Sequence, residues 1–88
     1  MAKSKLKHFR EMDSFSNVFQ LNKELKGKWS RQVFKNENPI TLELACGQGE
    51  YTVALSEMYA NKNFIGVDVK GARIYRGAKK CLEEGRSN

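Results

Sequence analysis

Two short apolar runs frame the second half of the chain. Ile40-Thr-Leu-Glu-Leu-Ala45 and Phe64-Ile-Gly-Val-Asp-Val69 are each largely apolar, as buried parallel strands are. Between them Tyr51, Leu55, Met58 and Tyr59 recur at helical spacing, predicting a helix from about Tyr51 that Asn61-Lys-Asn63 closes. A second helix is expected from about Ala72 to Glu84. It should turn Ile74, Ala78, Cys81 and Leu82 inward and Arg73, Arg76, Lys79 and Lys80 largely outward, with Gly85 placed as a helix C′ glycine. Strand, helix, strand and helix joined by short turns make a β-α-β-α unit, hence a parallel sheet and an α/β fold.

The segment before Pro39 shows little periodicity. Phe9, Phe15, Val18, Phe19, Leu21 and Leu25 are scattered among polar residues, which predicts an irregular segment anchored on the body through its aromatics. Gly27 breaks this stretch and Trp29 reads as a packing anchor. A short helix is expected from Ser30 with Val33 and Phe34 inward, and then Asn36-Glu-Asn-Pro39 forms a polar turn. Residues 1–39 are thus expected to form an arm and linker, and residues 40–88 the α/β body.

Charge sharpens that division. The 88 residues carry 16 Lys+Arg against 10 Asp+Glu, a net +6. Nine basic and four acidic residues fall within Met1–Pro39, net +5, against seven and six afterwards, net +1. Lys3, Lys5, Lys7 and Arg10 crowd the start with no acid among them, the pattern of a protein that meets a polyanion such as RNA. A basic terminus that merely solubilises is the plainer alternative. No apolar run approaches the ~20 residues of a membrane span, and the start lacks a signal peptide's apolar stretch, so no membrane partner is expected. Cys46 and Cys81, with His8 the one histidine, make neither a disulfide framework nor a zinc site; reduced thiols in a cytoplasmic protein are expected.

The chemistry gathers at the first turn. Cys46-Gly-Gln-Gly-Glu50 follows the first strand, and in open α/β sheets ligands bind beyond the carboxyl ends of the strands, where glycines admit them close to backbone. Asp68, near the end of the second strand, can accept both ribose hydroxyl protons of an adenosine-containing cofactor. That suits a dinucleotide or S-adenosylmethionine. Two details favour the methyl donor. Thr52 stands where the dinucleotide fingerprint wants a small residue. Glu43 puts a carboxylate in an apolar strand, costly to desolvate unless paired; a cationic ligand would compensate it, whereas a pyrophosphate would be repelled. A backbone or lysine partner for Glu43 is the plainer alternative.

Two stretches, Leu42-Glu-Leu-Ala-Cys-Gly-Gln-Gly-Glu-Tyr51 and the run from Asn63 through Phe-Ile-Gly-Val-Asp-Val-Lys-Gly-Ala-Arg73 and the following helix, closely resemble the bacterial tRNA (guanine-N7)-methyltransferases. Lys5-Leu-Lys-His-Phe9 and Asn17-Val-Phe-Gln20 are similar, more loosely, to that family's basic arm. The resemblance implies a Rossmann-like S-adenosylmethionine-dependent methyltransferase fold, of which residues 40–88 would be the first half, ending before a third strand. It implies cofactor contacts at Glu43 and Asp68 and along the turn Ala45, Cys46, Gly47, Gln48 and Gly49, and tRNA phosphate contacts at Lys3, Lys5, Lys7 and Arg10. The family usually has glycine at Ala45, where a methyl group either narrows the cofactor site or, if φ is negative, is tolerated. The implied reaction is methylation of a variable-loop guanine at N7, with the catalytic acidic residue and further tRNA contacts beyond Asn88. This segment alone is expected to be inactive; no metal is implied, and a monomer is preferred. Another methyl acceptor, or a non-catalytic basic RNA-binding segment, are the competing readings. The basic face of the second helix reads as solvated, with Tyr75 available for base stacking.

Overall fold

Strands β1 (Ile40–Leu44) and β2 (Asn63–Val67) pair in parallel, with Ile40 opposite Asn63, Glu43 opposite Gly66 and Leu44 opposite Val67. The structure is a computed structural model that describes residues 2–20 and 22–88, with side chains for 6–20 and 22–88. Helices α1 (Ala2–Met12), α2 (Glu50–Met58) and α3 (Tyr75–Glu83) complete the regular elements, with a π-helical turn at Trp29–Phe34 and a 3₁₀ turn at Gly71–Ile74. The β1–α2–β2–α3 order predicted from the two apolar runs is present, within a mixed α/β fold around a two-stranded parallel sheet.

Alternation along the strands sorts the sheet into two faces. Thr41, Glu43, Phe64 and Gly66 share the face that meets α2, where Thr52 bonds Glu43. Ile40, Leu42, Leu44 and Val67 share the other, where Leu42 is 54% exposed and Leu44 72%. The expected burial of the first strand therefore fails. An apolar strand is buried only where a second layer covers its other face, and the described residues place their helices on one side. The face of α2 read from helical spacing is not a buried one: Tyr51, Met58 and Tyr59 are 76%, 68% and 40% exposed and Leu55 is half-buried, and the helix turns Thr52, Val53 and Ser56 toward the sheet and α3.

The irregular start is also corrected. Residues 2–12 are helical, and His8 within the helix and Phe15 just after it both stack on Tyr75. His8 stacks on the Tyr75 ring at 3.9 Å and 5°, Phe15 lies 5.7 Å from it, and Met12 is 1% exposed. Tyr75 is itself buried, so it is a packing hub and not an exposed base-stacking platform. Its hydroxyl donates to Glu11 Oε2 at 2.6 Å and accepts from Lys79 Nζ at 3.2 Å. Leu21 lies outside the described residues.

Other expectations are met. Trp29 packs edge-on against Phe19 at 5.2 Å, Val33 and Phe34 are half-buried, and Asn38 N–H donates to Asn36 Oδ1 to build the polar turn. At the end of α3, Gly85 takes φ 67°, and Gly85 N–H and Arg86 N–H donate to the Leu82 and Cys81 carbonyls. This is the paired bonding that a C′ glycine permits. Two polar residues that sequence reasoning passed over then tie the pieces together. Asn63, 0% exposed, donates to Asn36 Oδ1 and the Asn38 carbonyl, fixing the linker to β2. Arg86 donates to the Val53 carbonyl and Ser56 Oγ and pairs with Glu57 and Glu84, bracing α2 against the end of α3.

Candidate cofactor site at the carboxyl end of the sheet

Both strands end at one place. Leu44 leads into the turn Ala45–Gly49, and Val67 into Asp68, while Cys46 N–H donates to the Val67 carbonyl at 2.9 Å and holds the turn beside the end of β2. The turn is built from left-handed backbone: Ala45 has φ 57°, Gly47 58° and Gly49 77°, and Gly49 then caps α2. Nothing lies within 4 Å of where a side chain on Gly47 or Gly49 would stand. A ligand can therefore come against the bare backbone there.

Asp68 closes the turn. Its Oδ2 accepts Gly47 N–H at 2.9 Å and its Oδ1 accepts Lys70 N–H at 2.8 Å. These two backbone bonds, with Lys70 and Arg73 nearby, hold its carboxyl below the ordinary aspartate range. Glu43, half-buried on the helix-facing side of β1, accepts the Thr52 hydroxyl at its Oε1. Neither a lysine nor a backbone group fills that role among the described residues, and the second Glu43 oxygen is left without a protein partner. The fit is that of a cationic, hydroxyl-rich ligand: two carboxylates flank an open glycine cradle. Cys46, Gln48, Gly49, Thr52 and Asp68 are among the residues that line a cavity of about 810 Å³, together with residues of the 16–35 segment.

Thr52 does not obstruct close helix–strand packing, because Gly66 lies opposite. A methyl group on Gly66 would come within 2.9 Å of Cys46 Sγ and 3.1 Å of Thr52 Oγ1. The space that the dinucleotide fingerprint gains with a small helix residue is gained here with a strand glycine, so of the two discriminating details Glu43 is the one that stands. Gly77 plays the same part for α3, where a methyl group would meet the Gln48 carbonyl oxygen at 2.8 Å.

The model of a family described as "Putative methyltransferase" matches residues 37–88, which include both strands, the turn, Glu43 and Asp68. The chain belongs to this methyltransferase family. Curated relatives extend the likeness across the N-terminal segment. The chain is 54% identical over 95 residues to the tRNA (guanine-N(7)-)-methyltransferase of Christiangramia forsetii, spanning 99% of this chain and 42% of that protein. It is 48% identical over 96 residues to the protein of that name from Bacteroides fragilis and 45% identical to that from Bacteroides thetaiotaomicron, spanning 100% of this chain and 38% of each relative. The chain thus spans about two fifths of the length of these relatives. No solved structure matches it.

Within this methyltransferase segment the residues singled out from sequence divide cleanly. Glu43, Ala45, Cys46, Gly47, Gln48, Gly49 and Asp68 come together at the carboxyl end of the sheet. Ala45 does not have the negative φ at which its methyl group would be tolerated; the turn holds it in the left-handed region. Cys46 is partly buried, and desolvation with Glu43 and Asp68 nearby pushes its thiol above the ordinary range, so it is a neutral wall of the turn. Lys7 and Arg10 lie exposed on α1, and the side chains of Lys3 and Lys5 fall outside the described residues. Thr52 is the site residue that sequence reasoning missed in its positive role. Its signal was available: it lies nine residues after Glu43, on the first turn of the helix that crosses that strand.

Proposed function

We propose that the enzyme to which this segment belongs transfers a methyl group from S-adenosylmethionine to N7 of a guanine in the variable loop of tRNA. Residues 40–88 then form the first half of a Rossmann-like cofactor domain, and residues 1–39 a basic arm. The observation that carries this reading is the pair of carboxylates, Asp68 and Glu43, on either side of a glycine cradle. The names of the relatives supply the acceptor.

When bound, S-adenosylmethionine supplies an electrophilic methyl group on a sulfonium. Guanine N7 offers a lone pair and no proton, so this chain needs no general base; its work is binding and orientation. Asp68 accepts the ribose hydroxyl protons, having acceptor capacity beyond the Gly47 and Lys70 amides. Glu43, steered by Thr52, offers its second oxygen and its charge to the ammonium. Ala45 to Gly49 let the methionine end lie against backbone. Lys3, Lys5, Lys7 and Arg10 meet tRNA phosphates, which set register without reading sequence. A cytoplasmic setting suits both the substrate and the two free thiols.

The test is cofactor affinity in the full-length enzyme. Asp68→Ala and Glu43→Gln should each weaken S-adenosylmethionine binding by about tenfold or more, the scale of a lost charged hydrogen bond. Affinity unchanged in both variants would return the two carboxylates to a structural role.

A further inference from the structure

The fold brings together two sets of cations that lie sixty residues apart in sequence. Helix α1 packs against the 71–74 turn and α3. On one flank Glu11 bonds Tyr75 and stands 3.6 Å from Lys79 Nζ, and Lys7 is close enough to help hold the Glu11 carboxyl below its ordinary range. On the other flank the Phe9 ring lies over Gly71, between Lys70, whose N–H binds Asp68, and Arg73, whose charge also reaches that carboxylate. Arg76 is exposed as the second residue of α3.

The acids are unevenly committed. Lys80 and Arg86, toward the far end of α3, are paired with Glu57 and Glu84. Nearer the site, Glu11 is engaged by Tyr75 and Lys79, and Asp68 by two backbone amides. Among the described residues Lys7, Arg10, Lys70, Arg73 and Arg76 form no ion pair within 4 Å. These cations without an ion-pair partner therefore lie on α1, at Lys70 and Arg73 around the 71–74 turn and at Arg76 in the first turn of α3, at the border of the cofactor turn.

We propose that α1 and the N-terminal end of α3 form one phosphate-binding surface for an RNA backbone, locked together by the Glu11–Tyr75–Lys79 cluster and bordering Asp68. This deepens the tRNA reading above and rests on it. An RNA strand laid along both helices passes the mouth of the turn, so the surface fixes where the acceptor base can reach. Tyr75 serves it by holding the two helices together, with its ring taken by His8.

The test measures tRNA affinity of the full-length enzyme between 50 and 200 mM salt, for the wild type, Arg10→Ala, Arg76→Ala and the double variant, with Lys80→Ala as the control at the paired end. Each lost phosphate contact should lower the log–log salt slope by about 1 and remove about three- to fourfold of the affinity change across that range. The double variant should lose about 2 from the slope while S-adenosylmethionine affinity stays unchanged, and Lys80→Ala should behave as wild type. A wild-type slope in the double variant would overturn the surface. So would a loss seen only on vesicles of anionic lipid and not on tRNA. The two readings fail separately: an enzyme that never methylates guanine N7 sinks the function even where the salt slopes fall as stated.

Discussion

Asp68 and Gly47, twenty-one residues apart, meet through a 2.9 Å hydrogen bond from the Gly47 amide to the Asp68 carboxylate. The end of one strand is thereby tied to the turn that follows the other, and the residue proposed to hold a ribose also shapes the cradle. Because the two backbone amides hold its carboxyl below the ordinary 3.8, Asp68 stays ionised at physiological pH. Its contribution is present above the unfolded value and is lost as pH falls through the depressed one. Cofactor binding should therefore show no Asp68 transition above pH 3.8, and the Gly47 amide resonance should move only in stronger acid. A transition of that amide near neutral pH would contradict the bond.

Ala45 carries a backbone cost at the same turn. Left-handed backbone costs an L-residue roughly 1–2 kcal/mol, and glycine avoids it at some entropic expense. Ala45→Gly should stabilise the protein by about 0.5–1 kcal/mol, read as a rise in denaturation midpoint with unchanged m-value. Destabilisation would mean that the Ala45 methyl group makes contacts worth more than its strain.

Thr52 and Gly66 form a matched pair. Thr52→Val removes the donor to Glu43 and should cost about 1–3 kcal/mol for the carboxylate left without it, with weaker cofactor binding; Thr52→Ser should restore most of both. Gly66→Ala should cost about 1–3 kcal/mol by pressing on Cys46 and Thr52. Urea titration of the three variants checks this, and a Thr52→Val protein with wild-type cofactor affinity would remove Thr52 from the site.

The seat of α1 should depend on pH in a defined window. The Tyr75 hydrogen bond, with Lys79, holds the Glu11 carboxyl below 4.5, and the same hydroxyl, with Glu11, holds the Lys79 ammonium above 10.5. The lowered acid stabilises the contact above its unfolded value and fails as pH falls through the depressed one. The raised base stabilises it below its unfolded value and fails as pH climbs through the raised one. Nuclear Overhauser contacts between the Phe15 and Tyr75 rings should persist from about pH 5 to 9 and fade in acid below 4.5. Loss of the contacts within that range would contradict the cluster.

The α/β order, the turn and both carboxylates were legible in the sequence because each rests on local signals: apolar runs, glycine spacing and an acid at a strand end. What escaped depended on distant partners. Helix α1 was hidden because its inward residues, His8 and Met12, include a polar ring, while Leu6 is 60% exposed and Phe9, though its ring meets Gly71, is 42% exposed. Its stripe is defined by Tyr75, more than sixty residues away. The outward turn of Tyr51 and Met58 was equally unreadable, since apolar spacing reports which residues share a face and not whether a layer covers it. Thr52 was weighed only as an intrusion; its use as the partner of Glu43 becomes visible once Gly66 is seen to make room for it.

The most direct test of the central claim is to incubate the full-length enzyme with S-adenosylmethionine and unmodified tRNA, digest the RNA to nucleosides and identify the methylated one by mass spectrometry. The expected product is 7-methylguanosine from the variable loop, with its formation lost in Asp68→Ala at limiting cofactor. Methylation of another base or another position, or full activity in Asp68→Ala at limiting cofactor, would contradict it.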